Sequence, residues 1–418
     1  MSNNTKFNII IATRNRADTL KWALKTCVEQ DYDNFRIIVS DNFSQDNTRQ
    51  VVESYSDPRI TYVNTGEPLS MSHNYEFALK QVTDGYLTYM GDDDGMMPGA
   101  LKAADKIIRE TGYKAIIGRL DEYYWHNCSD VERRGMLRYR LLEESYEQDT
   151  ASMVKQVLKM EKAYQNLPCI YNVGFISFDV IDDIRKRSGG QFFHSSIPDV
   201  YSAFAISSSI DKYLVVNQTF ILVGVSGHSN GIAYFDPKGT KEIAQNFWNL
   251  KTLPWHDKLV KSPSLAMMYS ESYLHAKDRG LYKADLSVKD IVEVVMEEAI
   301  MSPYQGNYPR IRETVEAVLD KNQIDEAFRK RLFEKFKDEK SAIKMILKKL
   351  VRRFKTTDKF LQVKTPDSVL NIYDAVLFNQ QLNEHKNISN FKYKMLFFKE
   401  LAMSGKIFLA KKKKLATS

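Results

Sequence analysis

Gly85-Tyr86-Leu87-Thr88-Tyr89-Met90-Gly91-Asp92-Asp93-Asp94 is a short, largely apolar run that ends in three adjacent carboxylates. Its length and its Leu, Tyr and Met content read as a buried strand. Gly95-Met96-Met97-Pro98 then turns the chain toward a helix over 98–110, with Pro98 near the first turn. Adjacent carboxylates on a short, stiff segment suit magnesium or manganese, hard cations that take oxygen ligands and leave positions for substrate phosphates. A solvated acidic turn is the plainer alternative for an isolated triple aspartate. What surrounds the cluster decides against it.

Working outward, strand-like runs alternate with helical ones. Residues 7–12, 35–40 and 59–64 read as strands, and 17–30, 48–55 and 72–82 as helices. The alternation predicts an α/β fold with a mainly parallel, Rossmann-like sheet flanked by helices. Ligands of such sheets bind beyond the carboxyl ends of the strands. Thr13-Arg14-Asn15-Arg16, Asp41 to Asp46 and Asp92 to Asp94 all fall there. Further along, 115–119 and 170–178 read as strands, 153–163 and 198–207 as helices, and 213–225 as a β-rich run. The stretch 121–148 reads as charged and irregular.

Four segments in order resemble the family 2 glycosyltransferases of GT-A fold. They are Ile10-Ile11-Ala12-Thr13-Arg14-Asn15-Arg16; Ile38-Val39-Ser40-Asp41-Asn42-Phe43-Ser44-Gln45-Asp46; Ser72-His73-Asn74; and Gly85-Tyr86 with Tyr89 to Asp94 and Pro98. The resemblance is strong over the first hundred residues or so. It implies an inverting transferase with a nucleotide-sugar donor (UDP-, GDP- or dTDP-linked), bound by Thr13, Arg14, Asn15, Arg16, Asp41, Asn42, Ser72, Asn74, Asp92 and Asp93. Asp41 would read the base or ribose. Asp92 to Asp94 matches the family's DxD-type motif: counted back from Pro98, Asp93 and Asp94 contact Mn2+ or Mg2+, and Asp92 lies nearer the ribose. Arg14 stands where many members carry an aromatic residue, which leaves the base preference open.

Inverting transfer needs a carboxylate to take the acceptor proton. By the same resemblance it opens a helix in the second half of the domain, and Ser195-Ser196-Ile197-Pro198-Asp199 is that element here, with Asp199 as the base. An acid at a helix N-terminus also suits the macrodipole, so the alternative is a cap. His228, in a Gly-Ser-rich turn, is a third candidate metal ligand or else a structural turn residue. Trp255-His256-Asp257 fits either an acceptor wall or packing.

The chain has 418 residues and a net charge of +7. Its cysteines, Cys27, Cys128 and Cys169, have neither disulfide nor zinc spacing. The start lacks the apolar core of a signal peptide, and no apolar run is long enough to span a bilayer. A cytoplasmic protein is expected. Helical patterns dominate beyond residue 240. This predicts a catalytic domain over 1–240 (a nucleotide-sugar half over 1–110, an acceptor-side half over 111–240), a helical region over 241–340 and a basic amphipathic helical tail over 341–418. In the tail, Ile343, Ile346, Leu347, Leu350, Val351 and Phe354 recur at helical spacing among Lys344, Lys348, Lys349, Arg352 and Arg353, and Lys411 to Lys414 close the chain. That pattern fits peripheral contact with the inner face of an anionic membrane and a glycan or lipid-linked acceptor of surface polysaccharide synthesis. No nucleic-acid motif accompanies the charge. Two rivals remain: a nucleotidyltransferase, which would want a glycine-rich phosphate loop absent from Thr13 to Arg16, and a non-catalytic glycan-binding or membrane-scaffold protein with a degenerate transferase domain.

Overall fold

The computed structural model describes residues 4–141, 144–227, 250, 253–301, 307–336 and 359–384. Strands β1 (Phe7–Thr13), β2 (Phe35–Asp41), β3 (Ile60–Asn64) and β4 (Tyr86–Met90) are parallel neighbours in the order β3-β2-β1-β4. Register aligns their ends, with Thr13 opposite Asp41 and Asp41 opposite Asn64. The polar loops therefore leave from one edge.

Alternation along each strand feeds a core on either face. Phe7, Ile9, Ile11, Ile37 and Val39 pack with Leu20, Ala23 and Leu24 of α1 (Ala17–Val28) and Leu101 and Ala104 of α4 (Ala100–Thr111). Ile10, Ile38, Leu87 and Tyr89 pack on the other face with Tyr75, Ala78 and Leu79 of α3 (Met71–Leu79). Strands buried on both faces lose polar alternation, which is why these runs are largely apolar. Helix α2 is Thr48–Glu53. Pro98 lies outside α4: Gly99, at φ 71°, caps the helix in a left-handed conformation that glycine adopts without a Cβ penalty.

The second half departs from a parallel sheet. A two-residue strand, β5 (Gly95–Met96), follows the acidic cluster. Then come β6 (Ala115–Ile117), β7 (Asp121–Tyr124), β8 (Met136–Leu141), β9 (Tyr146–Asp149), α5 (Thr150–Leu158), β10 (Gly174–Ser177), α6 (Phe178–Arg187), α7 (Pro198–Ser207), β11 (Lys212–Val215) and β12 (Ile221–Val225). Strand β10 inserts antiparallel between β4 and β6, extending an eight-stranded sheet to β3-β2-β1-β4-β10-β6-β11-β9. Gly174 is required there, because a Cβ would lie 1.9 Å from the Ile116 carbonyl oxygen. The stretch 121–148 is not irregular: it supplies β7, β8 and part of β9.

Four helices, α8 (Leu265–Asp278), α9 (Val288–Met301), α10 (Tyr308–Lys321) and α11 (Glu326–Lys335), build a separate apolar core around Leu274, Val292, Val315 and Leu332. Helix α8 joins it to the sheet, since its Met268, Tyr269 and Tyr273 belong to the core under α7. The expectation of one helical tail over 341–418 is corrected at 359–384. Strand β13 (Lys359–Lys364) pairs with β8, completing a second sheet in the order β13-β8-β7-β12-β5. Helix α12 (Ile372–Glu384) packs on α1 and β5. It is locked by a buried polar cluster: Asp121 accepts from Arg119 (3.2 Å) and Asn379 (3.3 Å), and Arg119 also donates to Asn383 (2.9 Å). The basic segments over 337–358 and 385–418 lie outside the described residues.

Candidate active site

The carboxyl edge of β1 and β4 brings the first group together. The Thr13 hydroxyl donates to Asp92 Oδ2 at 2.7 Å, and the Arg16 guanidinium meets Asp92 Oδ1 at 3.1 Å. Burial works against the Arg16 charge, but Asp92 and then Asp93 overcome it and raise its pKa. Asn15 stands at φ 52° and accepts from the Gln45 amide at 2.7 Å, joining the two loops. Arg14 is half-buried beside it. Asp41 accepts from Tyr62 (2.6 Å), Asn64 (3.0 Å) and the Ser44 amide (2.9 Å), so its carboxylate is fixed by three donors.

Asp92, Asp93 and Asp94 are 2 %, 5 % and 1 % exposed, so the solvated-turn alternative fails. They do not converge. Asp92 faces Thr13 and Arg16, while Asp93 accepts from the Ser226 hydroxyl at 2.5 Å. Asp94 Oδ1 accepts the Gly224 amide at 2.7 Å, and its Oδ2 accepts the Gly91 amide. The Asp93 carbonyl accepts from the Trp125 indole at 3.1 Å. Strand β12 runs so close to the cluster that a Cβ on Gly224 would fall 1.8 Å from the Asp93 carbonyl oxygen. Burial, reinforced by the charge of Asp93, pushes the Asp94 carboxyl well above the usual carboxylate range. Burial also raises Asp92, against the pull of Arg16.

Among the described residues no three His, Cys, Asp or Glu side chains form a ready-made cation cage. The chemistry of the cluster nonetheless fits a divalent cation. Three adjacent carboxylates are buried together with a single guanidinium acting on Asp92 and Asp93, and a carboxylate oxygen bound to one N–H keeps a second lone pair. A cation held there would draw its other ligands from substrate oxygens and water. His228 lies outside the described residues.

On the acceptor side, Asp199 sits in the first turn of α7. Its Oδ2 accepts from the Tyr164 hydroxyl, while Oδ1 is buried with no hydrogen-bond partner. Burial raises its pKa, and the Tyr164 bond pulls the other way. Tyr75 and Tyr171 each lie within electrostatic reach of both Asp199 and Asp94, so these two carboxyls share the same pair of phenols.

Other expected donor contacts are engaged in bracing. Asn42 exchanges hydrogen bonds of 2.7 Å with both backbone groups of Leu69. Ser72 donates to the Ser195 carbonyl at 2.7 Å, and Asn74 accepts from Ser40 at 2.7 Å. Ser72 thereby ties α3 to the segment that leads into Asp199. His256 is buried against Asp278 at 2.8 Å, a packing role. Sequence reasoning missed Trp125, Tyr164, Tyr171, Asn172, Gly224 and Ser226. The one local signal was Gly224 within a β-rich run.

The family model for glycosyl transferase family 2 matches residues 8–185. The GalNAc(5)-diNAcBac-PP-undecaprenol beta-1,3-glucosyltransferase of Campylobacter jejuni is 31 % identical over 287 residues, covering 67 % of this chain and 85 % of that protein. The UDP-Glc:alpha-D-GlcNAc-diphosphoundecaprenol beta-1,3-glucosyltransferase WfaP of Escherichia coli is 29 % identical over 87 residues, 21 % of this chain and 35 % of that one. Among solved structures, S. aureus TarS 1-349 in complex with UDP-GlcNAc aligns at 15 % identity and a TM-score of 0.42, over 76 % of this chain and 72 % of that one.

Proposed function

Since the chain belongs to the family 2 glycosyltransferases, we propose that it moves a sugar from a nucleotide-diphosphate donor to a hydroxyl of a lipid-linked glycan, with inversion and with a divalent cation. The observation that carries this reading is the meeting of two groups: a buried carboxylate cluster, Asp92 to Asp94, and an Asp199 oxygen left without a partner, both within electrostatic reach of Tyr75 and Tyr171. Asp41, held by Tyr62, Asn64 and Ser44, faces the nucleoside. Asp92, with Thr13 and Arg16, faces the ribose and the adjoining phosphate.

Asp93 and Asp94 would hold Mn2+ or Mg2+, which offsets the charge of the departing diphosphate. Asp199 Oδ1 takes the acceptor proton while the acceptor oxygen attacks the anomeric carbon from the face away from the leaving group. That geometry inverts the linkage. A raised carboxylate pKa favours the base role, because it strengthens the proton acceptor.

A UDP-linked donor and an undecaprenyl-diphosphate-linked acceptor follow the names of the two relatives, and a place in surface polysaccharide synthesis follows with them. The membrane supplies such an acceptor, and the basic segments after residue 336 suit peripheral contact at its inner face. Among the described residues no helix is long and apolar enough to cross a membrane. Family membership sets aside the nucleotidyltransferase and the non-catalytic scaffold. The test is transfer from UDP-, GDP- and dTDP-sugars with manganese and with chelator. Metal-dependent turnover of a UDP-sugar is expected. Full turnover in chelator would remove the cation from the reading, and preference for GDP or dTDP would replace the donor.

A further inference from the structure

Tyr171 takes no part in the scheme above, yet it is held at the centre of the site. The segment around it is clamped to the strand that ends in the acidic cluster. The Tyr89 amide donates to the Ile170 carbonyl at 2.6 Å, the Asn172 amide donates to the Tyr89 carbonyl at 2.9 Å, and Tyr171 bridges Tyr89 in parallel register. Asn172 stands at φ 61°, a left-handed conformation that asparagine adopts more readily than other non-glycine residues. Its side chain reaches the Asp94 carboxylate. A left-handed residue held by these bonds beside the carboxylate cluster fixes the direction of the segment.

The clamp aims the phenol. Its hydroxyl lies 3.1 Å from where a Cβ on Gly91 would stand, so glycine is what makes room for it. The ring lies 6.3 Å from that of Tyr75. Arg16, Asp93, Asp94 and Asp199 all lie within electrostatic reach. Among the described residues no protein group hydrogen-bonds the hydroxyl. A phenol fixed by its backbone, surrounded by oriented charges and without a protein partner is a donor kept for a ligand.

Which part of the ligand follows from the reaction geometry, and here the inference rests on the proposed function. In an in-line displacement the anomeric carbon lies between the departing diphosphate and the attacking oxygen. The acidic cluster marks the first and Asp199 the second. We infer that Tyr171 contacts the sugar being transferred and donates a hydrogen bond to one of its hydroxyls, so that it reads the sugar rather than the nucleotide.

The experiment compares UDP-glucose and UDP by calorimetry, both with manganese, on the full chain and on Tyr171→Phe. The variant keeps the ring and its packing, and an unchanged melting temperature confirms that it folds. Wild type is expected to bind UDP-glucose more tightly than UDP, and Tyr171→Phe to lose about five- to tenfold on UDP-glucose alone, the range of one hydrogen bond to a neutral partner. Equal loss on both ligands, or loss on neither, overturns the assignment. Wild type that binds neither ligand sinks the donor reading itself, a result distinct from failure of Tyr171. In Tyr171→Ala, loss confined to UDP-glucose supports the contact, whereas loss confined to UDP refutes it.

Discussion

The two sides of the site are built differently. On the donor side every carboxylate is tied down: Asp94 by two backbone amides, Asp93 by Ser226, Asp92 by Thr13 and Arg16, Asp41 by three donors. On the acceptor side Asp199 has one oxygen held by Tyr164 and the other left bare in a buried setting. An unsatisfied buried oxygen costs about 1–3 kcal/mol. The difference separates binding from chemistry. On the proposed reading, groups that hold charge in place are braced by donors, whereas the group that would accept a proton keeps one oxygen free of any.

The sharpest way to break that contrast is Asp199→Asn, which keeps the shape and the Tyr164 contact but removes the proton acceptor. A fall in kcat of about 10²- to 10⁴-fold is expected with donor affinity unchanged. A variant with wild-type kcat would put the base elsewhere. Next in size, Asp94→Ala should lower kcat/KM by about a hundredfold, roughly 3 kcal/mol, and flatten its manganese dependence. It should also lower the melting temperature, since the Gly91 and Gly224 amides lose their acceptor. Retained manganese dependence would leave Asp93 to hold the cation alone.

Gly224→Ala tests the braced side through the backbone. The added methyl would press into the Asp93 carbonyl, and destabilisation of about 1–3 kcal/mol in denaturant unfolding is expected. An unaltered midpoint would show that β12 can retreat from the cluster. The smallest effect belongs to Tyr164→Phe. Burial holds the Asp199 pKa above its ordinary value, and the Tyr164 bond lowers it by favouring the ionised form. The base works ionised, so activity falls as pH drops through that pKa. Loss of the bond moves this acid limb to higher pH in a kcat/KM profile. A limb that stays put, or moves down, would detach Tyr164 from the base.

The donor side was legible in the sequence because its ligands sit at the ends of strands whose apolar runs are themselves local signals. Thr13, Asp41 and Asp92 could be placed on one edge from strand periodicity alone. The bracing hydrogen bonds of Asn42, Ser72 and Asn74 show the limit, because the intramolecular partner of a polar residue is not written in its neighbourhood in the sequence. The supports of the acidic cluster were not legible. Trp125, Asn172, Gly224 and Ser226 arrive from strands and turns far along the chain, and nothing in a window around any of them records that proximity. The second sheet was missed for a related reason. Its strand β8, Met136–Leu141, does alternate, with Leu137, Tyr139 and Leu141 interleaved with Arg138 and Arg140, but it lies in a charged stretch and its partner β13 is more than two hundred residues away.

That late partner has a bearing on how the molecule is made. Strand β13 and helix α12 leave the ribosome more than two hundred residues after β8, yet Val376 and Ile372 pack against Gly95, one residue past the carboxylate cluster. A nascent chain that has emerged only through residue 340 presents an unpaired edge on β8 and a bare apolar face over β5. Such an edge invites association between growing chains. The segment around the carboxylate cluster is synthesised well before α12, so it acquires its final backing only after the intervening helical region has been translated.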